Sequence, residues 1–459
     1  MELLSPAGDI DKLKTAFAYG ADAVYLGTKL FSLRGKARNF SAHDIDELRD
    51  IRAFYAHDGR PKRVYGAVNI YFHQDQIEQL ESSLETIADF DFDALIVSDP
   101  GAAAVVRRRL PHMELHLSTQ ANCTNSEAIK VYRDLGFSRV ILGREVTMAE
   151  LSKIRRAVPD VELEVFVHGA MCLAYSGRCL LSAWMAGRSG NSGDCAHSCR
   201  WNYRLGELAL EEEKRRGEFY PIAEEGGYTT ILSSRDLNMA NHIQDLVDIG
   251  IDSAKIEGRM KSVYYTAVVT RAYRKAVDAA LGQAVPDLES YIGELEKVSH
   301  RTYSTGFYYG REEIEQPAAS TYRRTYLFLG TVIREIGRPA ADSAKGRAPR
   351  PPNNAPDNAA KSAPPGVPTG LPSGLPTGVP HGYRVYEVDI KNPIRAGDTI
   401  EYIGPSIVGL PDEEFLLARG DEGFVDAADH GRGALLLSRH DLKPGYLLRK
   451  AVDEQPGAG

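Results

Sequence analysis

No run of about 18 uninterrupted apolar residues occurs in the 459-residue chain, so no membrane-spanning helix is expected. The opening MELLSPAGD has neither a basic n-region nor an apolar h-region. That pattern predicts no secretory leader, a reducing cytoplasm as the compartment, and cysteines that are not paired as disulfides. An excess of positive charge is also missing. The 55 Lys and Arg against 63 Asp and Glu leave a formal charge of −8, which disfavours promiscuous nucleic-acid binding through a broad positive field. Any RNA contact then falls to local runs such as Arg107, Arg108 and Arg109, or Lys153, Arg155 and Arg156, or Arg323 and Arg324. Runs this short are more often solvated helix faces. Hydrolytic signatures are lacking too, since neither an H-E-x-x-H zinc-protease motif nor a G-x-S-x-G esterase elbow is present. His112 and His116, read as one face of a strand, have no acidic partner fixed by the sequence, and packed or exposed histidines are the default for them.

Cysteine is sparse, at five residues, but Cys172, Cys179, Cys195 and Cys199 fall within 28 positions. Thiols gathered so densely serve disulfides, zinc or an iron–sulfur cluster. Structural zinc usually grips thiolates through paired knuckles two to four residues apart. The gaps here run C-x6-C-x15-C-x3-C, and only the last resembles a knuckle. A cubane cluster tolerates irregular spacing because loops deliver its corners, so a cluster is favoured over zinc, with free thiols or disulfides as the remaining readings. Cys123, far away in STQANCTN, reads as a small core residue.

Through the first 280 residues, short β-branched runs alternate with helical patterns. Eight strands are predicted: 2–6, 21–27, 63–70, 93–99, 114–119, 138–143, 162–168 and 253–258. With helices such as SEAIKVYRDLG between them, they predict an α/β fold, a TIM-like (β/α)8 barrel with room for distortion. Chemistry in such barrels gathers at the C-terminal strand ends, and the cysteine segment 172–199 begins directly after the seventh strand. Residues 200–230 read as a hairpin excursion, and Asp236 as a helix cap or a functional carboxylate. The barrel is expected to span 1–315. A small C-terminal antiparallel β-barrel, expected to handle RNA, is predicted from 316–337 and 383–453. Between its two parts, 338–382 is rich in Pro, Ala, Gly and Ser and is expected to be a disordered insertion.

The runs HGAMCLAYSGRCLLS, GDCAHSCRW, ELLSPAGD, ADAVYLG, SSRDL, KIEGRMKS and RTYSTGFYYG together resemble the collagenase-like peptidase family U-32. The likeness covers residues 1 to about 315 and, less strongly, the C-terminal strands. Within that family it is most similar to the branch of oxygen-independent hydroxylases that form 5-hydroxyuridine at the tRNA wobble position. The resemblance implies a 4Fe-4S cluster on Cys172, Cys179, Cys195 and Cys199, with prephenate as oxygen donor and tRNA as partner. It leaves room for accessory proteins and gives no role to a membrane. A peptidase, or a zinc-binding accessory protein, is the runner-up.

Hydroxylating an unpaired base requires groups that hold the base, bind an oxygen donor and move protons. His168, at the end of the seventh strand, is the candidate for proton transfer. Arg178 and Arg259 are candidates for donor carboxylates, with Glu257 beside them. For the base, Tyr175, Tyr303 and Trp201 are the stacking candidates, Gln120 and Asn122 the edge-reading ones, and Asp236 a further contact.

Overall fold

The computed structural model describes the chain except residues 29–30, 33–38, 57–61, 173, 180, 187, 189, 193–194, 197, 201–209, 212–218, 221–222, 226–227, 231–234, 311–322, 338–375, 377, 421–422 and 454–459. It divides into two compact units, Met1–Arg324 and Thr325–Asp453.

In the first unit, seven strands pair in parallel and in chain order. They are β1 (Glu2–Pro6), β2 (Ala23–Gly27), β3 (Arg63–Val68), β4 (Ala94–Val97), β5 (Glu114–Leu117), β6 (Arg139–Ile141) and β7 (Glu162–Ala170). The closing strand Ser253–Ile256 pairs in parallel with both β7 and β1, so the sheet is a closed eight-stranded barrel with helices between its strands. Each predicted strand is present; β1 has the predicted bounds, β7 runs two residues beyond them, and the other six are shorter at one or both ends. These strands read as near-continuous apolar runs because both faces are covered; β2, β4 and the closing strand are buried throughout. The intervening helices start where short polar side chains take up orphan backbone donors. Asp9 accepts from Lys12 N at 3.0 Å, Asp99 from Ala102 N at 2.9 Å, and Asn125 from Ala128 N at 2.9 Å. The long helix Val263–Ala280 presses an almost wholly buried first half against the barrel.

The barrel interior carries a charged layer. Arg139, 2% exposed, reaches Glu2 at 2.6 Å, Glu162 at 2.7 Å and Glu164 at 3.2 Å. Glu164, fully buried, also takes the Lys255 ammonium at 2.8 Å. Burial pushes the Glu164 carboxyl up, but the charges of Lys255 and Arg139 outweigh it and hold the group below the usual carboxylate range. His116 belongs to this layer, edge-on to Tyr65, whereas His112 lies exposed in the turn before β5, so the two histidines do not share a strand face.

β7 departs from a plain barrel strand. Its register with the closing strand runs Phe166 opposite Lys255, then His168 opposite Ile256, which leaves Val167 as a bulge. Beyond the bulge, Asp236–Asn238 adds antiparallel to β7, and Tyr303–Ser304 adds to that strand. Gly169 sits at φ +105, where a Cβ would lie 2.4 Å from the Glu257 carbonyl oxygen. The excursion after the cysteines contains two antiparallel pairs, Leu210–Glu211 with Phe219–Tyr220 and Ala223–Glu225 with Tyr228–Thr230. The rest of the expected 200–230 hairpin, Trp201 included, lies mostly outside the described residues.

The second unit holds an antiparallel sheet of eight strands and a two-stranded antiparallel pair, Ile394–Arg395 with Ala427–Ala428, around a core that includes Leu329, Tyr386, Ile400, Tyr402 and Leu436. Arg449 is buried there, with Glu401 at 2.7 Å and its guanidinium 4.5 Å from the Tyr326 ring centre. Tyr326–Gly337 and Arg384–Ile390 pair directly, with Gly337 opposite Val385, so the segment between them links two neighbouring strands. The disorder expected for 338–382 falls almost entirely outside the described residues. Among the described residues, no helix is long and apolar enough to cross a membrane.

Candidate functional site

A cavity of about 460 Å³ opens at the C-terminal ends of the barrel strands. Its floor is made by inward strand positions, Tyr25, Ala67, Ile96, Phe166 and Lys255. The loops that follow the strands build its walls, through Asn69, Gln120, Arg144, the cysteine segment and the run Glu257–Lys261. Cys172, Cys179, Cys195 and Cys199 all line this one cavity, although they come from separate turns of a 28-residue stretch.

The cysteine segment is tied to the barrel by hydrogen bonds from neighbouring loops. Glu145 accepts from Ser176 N at 2.7 Å and from the Ser176 hydroxyl at 3.2 Å. Asn122 donates its side-chain amide to the Ser176 carbonyl at 2.9 Å, and the Tyr71 hydroxyl reaches the carbonyls of Gly177 and Gln120. Asn191 closes the far side. Its side chain donates to the Cys179 carbonyl at 3.1 Å, and its own carbonyl accepts from Tyr71 N at 3.0 Å. Gly177 holds φ +71, and a Cβ there would lie 2.0 Å from the Gln120 carbonyl oxygen, so the segment approaches the barrel as closely as backbone allows.

The lining is strongly cationic. Arg144, Arg178, Lys255, Arg259 and Lys261 face it, against Glu257 as the carboxylate among the described lining residues. Arg144 lies 3.3 Å from Glu257 and stacks 3.9 Å from the Phe166 ring centre. Arg259, 3% exposed, donates to the Ser32 hydroxyl. An anionic small molecule would therefore meet several guanidiniums in a partly apolar enclosure.

Of the residues singled out from the sequence, Arg178, Glu257, Arg259, Gln120 and Tyr175 line the cavity together with the four cysteines. Tyr175 is 56% exposed at its rim, as a stacking platform requires. Four candidates lie elsewhere. Asn122 is spent on the Ser176 carbonyl, in a left-handed backbone conformation that marks the turn. His168 is not at the mouth. The Val167 bulge turns it outward, where it packs among the rings of Tyr265, Tyr273 and Tyr303, and burial pushes its pKa down to about 3. Asp236 is buried on Arg301, accepting from its backbone N, Nε and Nη2 at 3.1, 3.1 and 2.7 Å. Neither a helix cap nor a cavity contact, it is a strand residue opposite Ala170. Tyr303 stacks on His300 with ring centres 4.1 Å apart, behind the cavity wall.

Sequence reasoning missed Arg144 and Lys255. Each had a signal, since Arg144 directly follows the sixth strand in ILGRE and Lys255 is an isolated charge inside the apolar eighth. Cys123 is a buried thiol pushed up to about 11 by burial, the behaviour of a core residue.

For a cluster, the donor set fits in kind, number and place: four soft thiols on loops around one cavity. They are not drawn into a coordination sphere here, since among the described residues no three Cys, His, Asp or Glu side chains stand close enough to hold one metal ion.

Comparison with known proteins places these features in a family. The sequence profile of peptidase family U32 matches residues 8–317. The chain is 39% identical over 342 residues to tRNA hydroxylation protein P of Escherichia coli, covering 67% of this chain and 74% of that protein. It is 32% identical over 351 residues to the 23S rRNA 5-hydroxycytidine C2501 synthase of the same organism, covering 74% of this chain and 50% of that protein. A protein named collagenase from Porphyromonas gingivalis is 30% identical over 356 residues, covering 73% of this chain and 81% of that protein.

Proposed function

The chain belongs to peptidase family U32, and from that footing we propose that it is an RNA-modifying hydroxylase that forms 5-hydroxyuridine at the wobble position of tRNA. The observation that carries the proposal is the convergence of four cysteines, five cations and an exposed aromatic rim on one cavity at the chemical end of the barrel. Two relatives named for RNA hydroxylation support the reaction class.

In this reading Cys172, Cys179, Cys195 and Cys199 hold a 4Fe-4S cluster, which when bound supplies electron transfer at the cavity wall. The protein's own groups do the rest. Tyr175 stacks on the extruded base, and Gln120 offers an amide to its edge. Arg144, Arg178 and Arg259 bind the carboxylates of the oxygen donor, proposed to be prephenate. Glu257 orients Arg144. The rings and aliphatic groups of Tyr25, Ala67, Ile96 and Phe166 limit water at the cavity floor.

The peptidase reading gains little from this site. A cysteine protease needs a thiol activated by a neighbouring base, and no histidine lines the cavity among the described residues. Mass analysis of tRNA nucleosides from a deletion strain tests the proposal. Loss of the hydroxylated uridine is expected, and its persistence at normal levels would refute the assigned substrate.

A further inference from the structure

The cavity floor contains a group that the proposed roles leave unused. Lys255 comes from the closing barrel strand, is 4% exposed, and lines the cavity with its Nζ 2.8 Å from Glu164 Oε1 and 4.4 Å from the centre of the Tyr25 ring. Glu164 has a second cation, Arg139, at 3.2 Å, which it shares with Glu2 and Glu162. A buried ion pair contributes little stability over an apolar pair of the same volume, so packing alone is a weak reason for an amine at this position. The groups facing the ammonium are the rings of Tyr25 and Phe166 and the carboxylate of Glu164, with the charges of Glu257 and Arg139 acting from farther off.

We infer that Lys255 condenses with the ketone of a 2-oxo acid bound in this cavity and holds it there as an imine. The inference rests on the reading of this cavity as the reaction site. A buried amine with a carboxylate at hydrogen-bond distance has a group within proton-transfer reach, and a ketone is the electrophile with which a lysine condenses reversibly. Burial lowers the lysine's pKa more than Glu164 raises it, which eases release of the proton. The carboxylate next to the ketone meets Arg144, Arg178, Arg259 and Lys261, all lining the same space. In the step itself, Glu164 takes one proton from the Lys255 ammonium and the freed nitrogen attacks the ketone carbon. The C–N bond forms, the carbonyl oxygen leaves as water carrying two of the former ammonium hydrogens, and Glu164 returns to its carboxylate. The iminium keeps the single positive charge, and nothing is oxidised or reduced.

Borohydride trapping on the intact wild-type protein tests this. Pyruvate is the probe, being small enough that access cannot limit it, and lactate, which has no ketone, is the control. Peptide mass mapping is expected to find about one reduced adduct per chain, on Lys255, formed at least roughly tenfold faster than on any other lysine. It is expected to be absent with lactate and absent in a folded Lys255→Arg variant. No adduct, or labelling of Lys255 no faster than that of surface lysines, overturns the inference. The nucleoside analysis above is independent of this outcome, so an enzyme that modifies tRNA without trapping pyruvate refutes the imine alone.

Discussion

At the scale of single residues, the site is built from side chains whose roles depend on small backbone choices. His168 shows this best. As a strand-end histidine next to a cysteine segment it invited a catalytic role, but one extra residue in the ladder turns it away from the cavity and buries it neutral. Its folded pKa, about 3, lies below the ordinary 6.5, so the unfolded chain binds the proton more readily. Stability from this group is full above the unfolded value and is lost as pH falls from about 6.5 toward 3, at up to about 1.4 kcal/mol per pH unit. Denaturant unfolding across that range should show this slope in the wild type and a flatter one in His168→Gln. Identical slopes would contradict the burial argument. Glu145 is a second such case, since its carboxylate holds the backbone and hydroxyl of Ser176. Glu145→Ala is expected to cost about 2 kcal/mol in chemical denaturation, because it strands a donor at the base of the cysteine loop. A change under about 0.5 kcal/mol would show that loop to be held elsewhere.

At the scale of elements, the barrel was legible because parallel strands buried on both faces leave unbroken apolar runs, as in ALIV of β4. Caps such as Asp99 and Asn125 do precede the periodic runs, but the one cap read from the sequence, Asp236, is a strand residue. The bulge at Val167 was not legible, because it arises from register against a strand far later in the chain, Lys255 and Ile256 against Phe166 and His168. That single irregularity accounts for the misplaced His168, and the added strand Asp236–Asn238 accounts for Asp236 being paired with Arg301 instead of capping a helix. The cysteine loop is the element on which the function turns. Gly177→Ala places a side chain against the Gln120 carbonyl at a positive φ, so we expect a loss of about 1–3 kcal/mol and a lower iron content. Circular dichroism and iron analysis check it, and unchanged values in both would contradict the close approach assigned to this turn.

For the molecule as a whole, two compact units meet different demands. The barrel unit carries all the described cavity residues, and the antiparallel unit keeps its ladder across a long sequence insertion. Because Gly337 stands opposite Val385, replacing residues 338–375 with a short turn links strands that are already neighbours and keeps Val379, which packs against the Val385 and Leu435 cluster. Shortening such a loop changes its closure free energy only by about 1–2 kcal/mol. Thermal unfolding of that variant should therefore stay within a few degrees of the parent, roughly 2–4 °C per kcal/mol, and its iron content should match. Collapse of the second unit's transition would show that the insertion contributes packing.

The central claim is that the four cavity cysteines hold an iron–sulfur cluster on which the proposed hydroxylation depends. Anaerobic purification, followed by iron and sulfide analysis with a visible spectrum on the intact chain and on Cys172→Ala, tests it most directly. About four irons and four sulfides per chain, with cluster absorption that is lost in the variant, is the predicted result. A colourless, iron-free protein under strict anaerobiosis, or zinc bound in place of iron, would contradict it.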